Sequence, residues 1–368
     1  MSAQRTYDGL VLVDTHTPYE VRKFPYQSPK DNEITVNVKW TSSSPLHVHQ
    51  ADGGLLVEYP MQTGSTGVGI VVEVGPEATH FQVGDEVFGF TPPKWRTHQE
   101  YCTAPGWMFG KIPPGLSPEE AATIPENLVT AFNTISTDLK LPTPWPKPRG
   151  YSPALARSRI LIWGAASSVG QLTIQVLRYY GYQHIVGTAS PKHHAYIKSL
   201  GAAAVYDYRS PSVVDELLAS AQGGGDEKGP GGFPLIVDCI GSRDGSLAPL
   251  AKIAQQGSIV AVMLPVIISR LDGGGKKTYS MDAGGSAAWA PGVEVSGVRT
   301  HFYHHKNEMF REKLQTEIIP ALLAQGVVKP NRYRVIEGET LLERAKRALD
   351  AVREGVSGEK LVWRVSNE

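Results

Sequence analysis

The stretch Arg159 to Gly181, RILIWGAASSVGQLTIQVLRYYG, constrains the fold of this chain more than any other. A β-rich run, Ile160 to Trp163, stops at Gly164. The chain then passes through Ala165, Ala166, Ser167 and Ser168 and enters an amphipathic helical pattern at Val169 and Gly170. A strand, a tight turn and a helix in that order bring small residues, backbone N–H groups and the positive end of a helix dipole to one point, where an anion is favoured. The reading is a dinucleotide pyrophosphate site built from Gly164 through Gly170. Against G-x-G-x-x-G the chain offers Ala165-x-Ser167-x-x-Gly170, so only the last glycine survives. An ordinary buried βα unit with a small-residue turn fits the same residues, and the rest of the chain has to decide.

Downstream of Arg159 the chain has the rhythm of a parallel sheet. Strand candidates at 159–163, 184–189, 203–207, 235–239 and 258–264 alternate with helical patterns at 168–180, 191–200, 212–221 and 245–255. Such alternation predicts an α/β doubly wound domain. Within it, 223–234 (GGGDEKGPGGFP) reads as a flexible loop. Leu264 to Val293, rich in Gly, Ser and Ala, reads as a mobile loop or a substrate-covering lid.

The flanks read differently. Residues 7–135 are β-rich and turn-rich, with strands at 7–13, 33–40, 67–74 and 85–90, which looks like a small barrel. Ser117-Pro-Glu-Glu120 starts a helix with an N-cap, a first-turn proline and first-turn carboxylates. Residues 140–158 are proline-rich and read as a surface excursion. A long helix is expected from Lys306 to Gln325. After it, a strand at 332–336, a helix at 340–354 and a strand at 360–365 return to the barrel pattern. The expected domains are 1–133 with 328–368 for the barrel and 134–327 for the inserted α/β domain.

Composition narrows the function classes. Lys plus Arg and Asp plus Glu both number 36, so no basic footprint for nucleic acid or an anionic membrane is present. The two cysteines, Cys102 and Cys239, form no C-x-x-C, which argues against a zinc ribbon or disulfide framework and fits a reducing compartment. No apolar run reaches membrane-spanning length, and the N-terminus carries no apolar signal core. A soluble cytoplasmic protein is the expectation.

Taken together, the blocks GVGIVVEVG, VGDEVFGF, HQEYCTAP, PPGLSPEEAATIP, NLVTAF, GAASSVGQLTIQVLRYYGY, GTASPKHHAYIKSLGAAAVYDYRSP, IVDCIG and SGEKLVWRV resemble the medium-chain dehydrogenase/reductase superfamily over nearly the whole chain. GAASSVGQ and TASPKH are similar to its zinc-free fungal enoyl-reductase and quinone-reductase branch. The resemblance implies a GroES-like β-barrel domain, an inserted Rossmann domain and a cleft between them, and also a homodimer through Rossmann edge strands.

Zinc-dependent members of that family hold a catalytic metal with a cysteine, the histidine of a G-H-E motif and a further cysteine or acid. Here the matching positions fall near Ser44, at Gly64-Ser65-Thr66 and near Glu126. A hydroxyl is a poor zinc ligand beside thiolate or imidazole, so neither a catalytic nor a structural zinc is expected. His47 and His49, at i and i+2 on a strand, would point the same way, but no third ligand accompanies them. A cleft-lining or surface pair is the plainer reading. The run His301 to His305 reads as a strand end and helix entry, or as a polar contact to substrate or to the nicotinamide end.

Cofactor choice is read after the second strand of the α/β domain. An acid there suits the ribose hydroxyls of NAD, whereas its absence together with cations suits the 2′-phosphate of NADP. Here the strand ends in Ser190, Pro191 and Lys192 without an acid, which points to NADPH; a solvated first-turn lysine is the alternative. By resemblance, Tyr208 lies against the same phosphate, Thr130 near the nicotinamide carboxamide, Ile240 and Gly241 after the fourth strand, and Leu264 at the end of the fifth beside the ring. Core packing for Ile240 and Leu264, and a simple turn for Gly241, fit as well. The hydroxyls of Ser167 and Ser168 are expected as extra phosphate donors.

Without zinc, polarising a simple carbonyl loses its Lewis acid. Hydride delivery to an already electrophilic conjugated carbon needs only positioning and a donor for the developing enolate. The expectation is NADPH-dependent reduction of a conjugated carbonyl, an enoyl thioester or a quinone. Tyr59 is the first candidate donor, because related enoyl reductases carry a tyrosine in this region; Ser44 and His47 are the reserves, and solvent is a further proton source. Ketone or aldehyde reduction, redox-neutral cyclisation or isomerisation on the same scaffold, and non-catalytic NADPH binding stay open as alternatives.

Overall fold

The computed structural model describes residues 5–15, 19–221, 232–269 and 278–366. Its contacts divide the chain into two units, Met1–Val129 with His301–Glu368, and Thr130–Thr300. The second unit begins slightly before the 134–327 expected from sequence and ends well short of it. The reason for the early end lies in the segment expected as one helix over 306–325. The chain there forms a short helix at Tyr303–Lys306, breaks in extended backbone at Asn307, and resumes as a wide-turn stretch Phe310–Ile318 and a helix Ile319–Ala324. Asn307 Oδ1 accepts the Phe310 N–H at 3.1 Å and restarts the coil. Gln315 then bonds Phe90 both ways, its Oε1 accepting from Phe90 N at 2.7 Å and its Nε2 donating to Phe90 O at 2.9 Å. Paired to a barrel strand in this way, the segment belongs with the first unit.

In that first unit the strand Glu33–Ser43 is central. It pairs antiparallel with Thr66–Val74, Tyr101–Pro105 and the C-terminal Lys360–Arg364, with Leu361 opposite Ser43. Ile34, Val36 and Val38 alternate into the core as a strand period requires, joining Val71, Val87, Phe109 and Trp363. Thr66–Val74 pairs onward with Glu86–Phe90, and that strand with Phe109–Lys111. Ser117 caps the helix Pro118–Ala121 as expected, its Oγ accepting from Glu120 N at 3.1 Å while its own N–H donates to Glu120 Oε2 at 3.0 Å.

The second unit is a six-stranded sheet in the order Ala204–Tyr206, His184–Thr188, Arg159–Trp163, Leu235–Asp238, Ile259–Met263 and Glu294–Val298, every pair parallel. Numbered within the unit that is 3-2-1-4-5-6, the order of a dinucleotide fold. The strand order reverses its progression between Arg159–Trp163 and Leu235–Asp238, and ligands bind such sheets beyond the strand carboxyl ends at this switch point. The proline-rich 140–158 segment carries no helix or strand, but it is tied down: Lys147 Nζ donates to Tyr179 O at 2.6 Å, and Leu141 is buried.

Two loop expectations change. Most of the 223–234 loop lies outside the described residues, while Phe233 is buried in the sheet's core. Of the segment expected as a mobile loop or lid, 270–277 lies outside the described residues. The remainder packs: Val266–Ser269 and Thr278–Ser280 pair antiparallel, and Val266 and Ala283 are buried in the core that Trp289 also touches. Apolar side chains spaced along a glycine-rich stretch anchor what composition alone makes look loose.

Candidate functional site

The α/β unit assembles a cradle from Arg159 to Gly181. Arg159–Trp163 ends at Gly164, whose φ of +79° is a backbone conformation that side chains rarely adopt. A Cβ there would also stand 2.6 Å from Ile240 Cδ1. Thr188 Oγ1 accepts the Gly164 N–H at 3.0 Å, and Thr188 O accepts the Ala165 N–H at 2.8 Å, so the second strand fixes the turn. Ser167 caps the helix Ser168–Tyr180, its Oγ accepting from Gly170 N at 3.0 Å. That bond gives the Ser167 oxygen a structural task beside the phosphate role expected from sequence. At Gly170 a Cβ would fall 2.7 Å from Gly164 O and 2.9 Å from Ala165 Cα. The last glycine therefore lets the helix close onto the turn, and the first-turn N–H groups open toward the carboxyl end of the sheet. Residues 164 to 170 fit a pyrophosphate.

Asp238, which sequence reasoning passed over, fixes the opposite wall. It ends the strand Leu235–Asp238 fully buried, with Oδ1 accepting from Ile240 N at 2.9 Å and Oδ2 from Gly241 N at 3.2 Å and Ser246 Oγ at 2.7 Å. Burial pushes its carboxyl up to about 6 although all three donors pull the other way. The effect is to hold Ile240, 42% exposed, over Gly164. An acid closing the otherwise apolar run IVD was the available signal. Leu264 follows a strand that ends at Met263, and its side chain packs against Gly297 of the neighbouring strand.

Ser190 and Tyr208 are brought to one edge. They follow neighbouring parallel strands, Thr188 pairing with Tyr206, and the Ala189 N–H donates to Tyr206 O at 2.9 Å. Ser190 is buried, Lys192 is exposed, and Tyr208 is 39% exposed. The Arg209 guanidinium stacks 5.2 Å from the Tyr208 ring centre, a second cation that the sequence reading missed although it adjoins Tyr208. Thr130 is buried in the helix Pro125–Asn133, where its carbonyl accepts from Thr134 Oγ1 at 2.8 Å.

The barrel unit collects a separate group of polar side chains. His47 and His49 sit on the helix Pro45–Gly53 and not on a strand, because Ser44 and Pro45 supply a helix start. Two positions apart on a helix, they point about 200° from each other, so the clamp considered for them does not form. The Ser44 N–H donates to His47 Nδ1 at 3.3 Å. With Nδ1 accepting, the neutral ring carries its proton on Nε2. Burial holds His47 down at about 4, against the pull of Glu126, which raises it. Ser44 Oγ is buried without a partner.

Around them lie Ser65 and Glu126 together with His98 and Lys360, which sequence reasoning did not single out. His98 is buried, with Nδ1 3.0 Å from Thr63 Oγ1 and its ring 5.0 Å from His47 and 4.7 Å from Trp363, and burial holds it well below the usual imidazole value. Its Nε2 has no partner. Ser65 Oγ donates to Glu126 Oε1 at 3.3 Å, and Lys360 Nζ lies 3.5 Å from Glu126 Oε2. Two of the three positions that correspond to zinc ligands thus meet as a hydroxyl and a carboxylate, and a lysine pairs with the carboxylate. Among the described residues no group of three or more His, Cys, Asp and Glu side chains is arranged to hold a metal ion. Tyr59 stands outside this group, 41% exposed on the loop before the short strand Met61–Gln62; burial and then the nearby Asp14 raise its hydroxyl. Both cysteines are pushed up to about 12 by burial, which leaves neither a nucleophilic thiolate.

A 3-2-1-4-5-6 sheet with this cradle, in one chain with a GroES-like unit, defines a pyridine-nucleotide oxidoreductase. Residues 30–133 match the alcohol dehydrogenase GroES-like domain family, and residues 168–270 the zinc-binding dehydrogenase family. The trans-enoyl reductase himH of Aspergillus japonicus is 31% identical over 345 residues, covering 91% of this chain and 90% of that protein. The chain therefore belongs to the medium-chain dehydrogenase/reductase superfamily, in the branch of the fungal trans-enoyl reductases. In fold it is similar to a putative zinc-dependent alcohol dehydrogenase from Rhizobium etli CFN 42, with a TM-score of 0.75 at 20% identity over 98% of this chain and 99% of the other. The CurK enoyl reductase aligns with a TM-score of 0.73 at 18% identity over 97% and 99%. The substrate is a small molecule. No helix among the described residues is long and apolar enough to cross a membrane.

Proposed function

We propose that this protein is an NADPH-dependent reductase of a conjugated C=C bond, an enoyl thioester or enone, or of a quinone. The observation that carries the reading is His47, a buried imidazole kept neutral with its proton on Nε2, beside zinc-ligand positions filled by Ser44, Ser65 and Glu126. A neutral N–H donor stabilises a developing enolate oxygen without a Lewis acid, provided that the substrate is already electrophilic through conjugation. Ser44 Oγ, buried and unpartnered, is a second donor for the same oxygen. The relative named a trans-enoyl reductase supports the substrate class.

When bound, NADPH supplies the hydride. Residues 164–170 would hold its pyrophosphate, and Ser190, Lys192, Tyr208 and Arg209 would take the 2′-phosphate. Ile240, Gly241, Leu264 and Thr130 would border the nicotinamide end. Because His47 Nε2 gives a hydrogen bond and keeps its proton, the proton that completes the reduction comes from solvent. Steady-state oxidation of NADPH and NADH with an enoyl thioester, an enone, a quinone and an aldehyde tests the reading. Turnover with a conjugated or quinone acceptor and not with the saturated aldehyde is expected; tight NADPH binding with no acceptor-dependent turnover sinks it.

A further inference from the structure

The barrel unit carries an open cavity of about 620 Å³ that the chemistry proposed for His47 and Ser44 leaves unused. Leu56, Val57, Pro60, Met61 and Arg96 are among its lining residues. Arg96 is half-buried, and its side chain's only hydrogen-bond contact among the described residues is Nη2 to the Met61 sulfur at 3.5 Å. No carboxylate pairs with it among the described residues. Glu58 shares the cavity rim, yet burial alone accounts for the lowered affinity of Arg96 for its proton, with no acid opposing it. A guanidinium removed from water without an acid is a cost to folding, and rules broken in this way concentrate at functional sites. The apolar part of the lining is unusual as well. Leu56 holds a left-handed φ of +53° and is 69% exposed, so a bulky apolar side chain is presented to the cavity at the expense of backbone strain. Arg96 lies two residues before His98, whose buried ring stands 5.0 Å from that of His47, and Gln62, which also lines the cavity, precedes Thr63, whose Oγ1 lies 3.0 Å from His98 Nδ1. His98 thus links the cavity lining to the donor group of His47 and Ser44.

We infer that this cavity binds the far end of the substrate, with Arg96 anchoring an oxyanion, a phosphate or a carboxylate, while Leu56, Val57, Pro60 and Met61 cover the alkyl segment that leads to it. The planar fork of arginine suits either oxyanion through two parallel hydrogen bonds. A volume of about 620 Å³ is that of a site for a drug-sized ligand and exceeds what one anion needs. The inference rests on the conjugated-substrate reading, and it adds that the substrate is amphipathic and anionic at the end remote from the double bond.

The test compares three enoyl substrates of one acyl length: a coenzyme A thioester, which bears phosphates; an N-acetylcysteamine thioester, which is neutral; and an enone ending in a carboxylate. Wild type, Arg96→Met and Arg96→Lys are assayed for kcat and KM, and calorimetry measures binding of 4′-phosphopantetheine, pantetheine and hexanoate. Arg96→Met should raise KM for the matching anionic substrate about tenfold to a hundredfold, the range for losing a charged hydrogen-bonded contact. The neutral substrate should lose far less, and Arg96→Lys should restore part of the loss for the anionic one. The anion that responds, phosphate or carboxylate, identifies the source. Equal effects of Arg96→Met on neutral and anionic substrates, or none on any, overturn the anchor. If wild type reduces none of the three, the conjugated C=C part of the reductase reading fails. The calorimetry then decides the anchor alone: anion binding that Arg96→Met abolishes sustains it, and binding of no anion removes it.

Discussion

Lys360 Nζ stands 3.5 Å from Glu126 Oε2, with the two side chains 4% and 13% exposed, and Ser65 Oγ holds the other carboxylate oxygen. Burial draws the lysine below its ordinary value. The carboxyl is raised by burial but ends below its ordinary value, chiefly because the charge and hydrogen bond of Lys360 oppose that effect, with His47 and His301 adding to it only in their protonated forms. The pair is thus charged, and each charge depends on the other. Removing one partner leaves the other charge unpaired, which costs about 3–5 kcal/mol. Lys360→Met and Glu126→Gln should each destabilise the barrel unit by that order in denaturant unfolding. The double change Lys360→Met with Glu126→Leu should recover most of the loss, because a buried pair adds little over apolar side chains of similar size. A double variant as unstable as the singles would show that the pair is not the source.

That pair also marks how far the sequence could be read. The α/β alternation after Arg159 was legible because a buried parallel sheet repeats one local pattern, and the observed strands fall where the apolar runs lie. The zinc-ligand positions were legible too, since the hydroxyl at Ser65 and the acid at Glu126 follow from motif order. Their partner was not. Lys360 lies 234 positions beyond Glu126 and reaches it only because Leu361 pairs with Ser43 across the sheet. His98 and Arg96 are silent in the sequence for the same reason: their significance is burial, and no local period announces it. The helix under His47 reads as a strand unless Pro45 after Ser44 is weighed as a helix start. Register and burial are properties of the assembled sheet, and they carry the rest of the site.

His47 gives a prediction with a definite sign. Its folded value of about 4 lies below the ordinary 6.5, so the folded state prefers the neutral ring. The stability tied to this preference is fully present above about pH 6.5 and is lost as pH falls toward 4, by an amount on the order of 3 kcal/mol. His47→Gln should flatten that part of the acid limb of a stability profile. In catalysis the same neutrality predicts a rate that does not titrate with His47 between about pH 5 and 8. His47→Ala should lower kcat by about a hundredfold to a thousandfold, as losing one oxyanion donor does. Retention of full kcat would move the donor role to Ser44 or Tyr59.

Gly170 sets propensity against sterics. Alanine in a helix interior is ordinarily favoured over glycine by about 0.5–1 kcal/mol. Here the added Cβ would lie 2.7 Å from Gly164 O and 2.9 Å from Ala165 Cα, both backbone atoms that cannot swing aside. Overpacking of this kind costs about 1–3 kcal/mol, so the steric effect wins. Gly170→Ala should destabilise the α/β unit and weaken NADPH binding, measured by fluorescence titration, by tenfold or more. A stabilised variant with unchanged nucleotide affinity would remove the cradle from the binding site.

In the NADPH-dependent reading proposed above, cofactor selectivity depends on the edge where Ser190 and Tyr208 meet. A 2′-phosphate there finds Lys192 exposed and the Arg209 guanidinium stacked on Tyr208, with no acid following the second strand. Each charged hydrogen bond to phosphate contributes about 1.5–3 kcal/mol, and NADH, which lacks the group, gains nothing from either cation. Lys192→Ala and Arg209→Ala should therefore each lower kcat/KM for NADPH about tenfold to a hundredfold while leaving NADH nearly unchanged. Ser190→Asp should act with the opposite sign on the two cofactors: a carboxylate repels the phosphate and accepts from the ribose hydroxyls of NADH. Combined with Lys192→Ala it should bring the ratio of kcat/KM values toward or past parity. The Arg209 result separates this account from one in which Lys192 acts alone. If Arg209→Ala leaves the ratio untouched, its stacking on Tyr208 serves only the surface of the α/β unit, and the phosphate is read by Ser190 and Lys192.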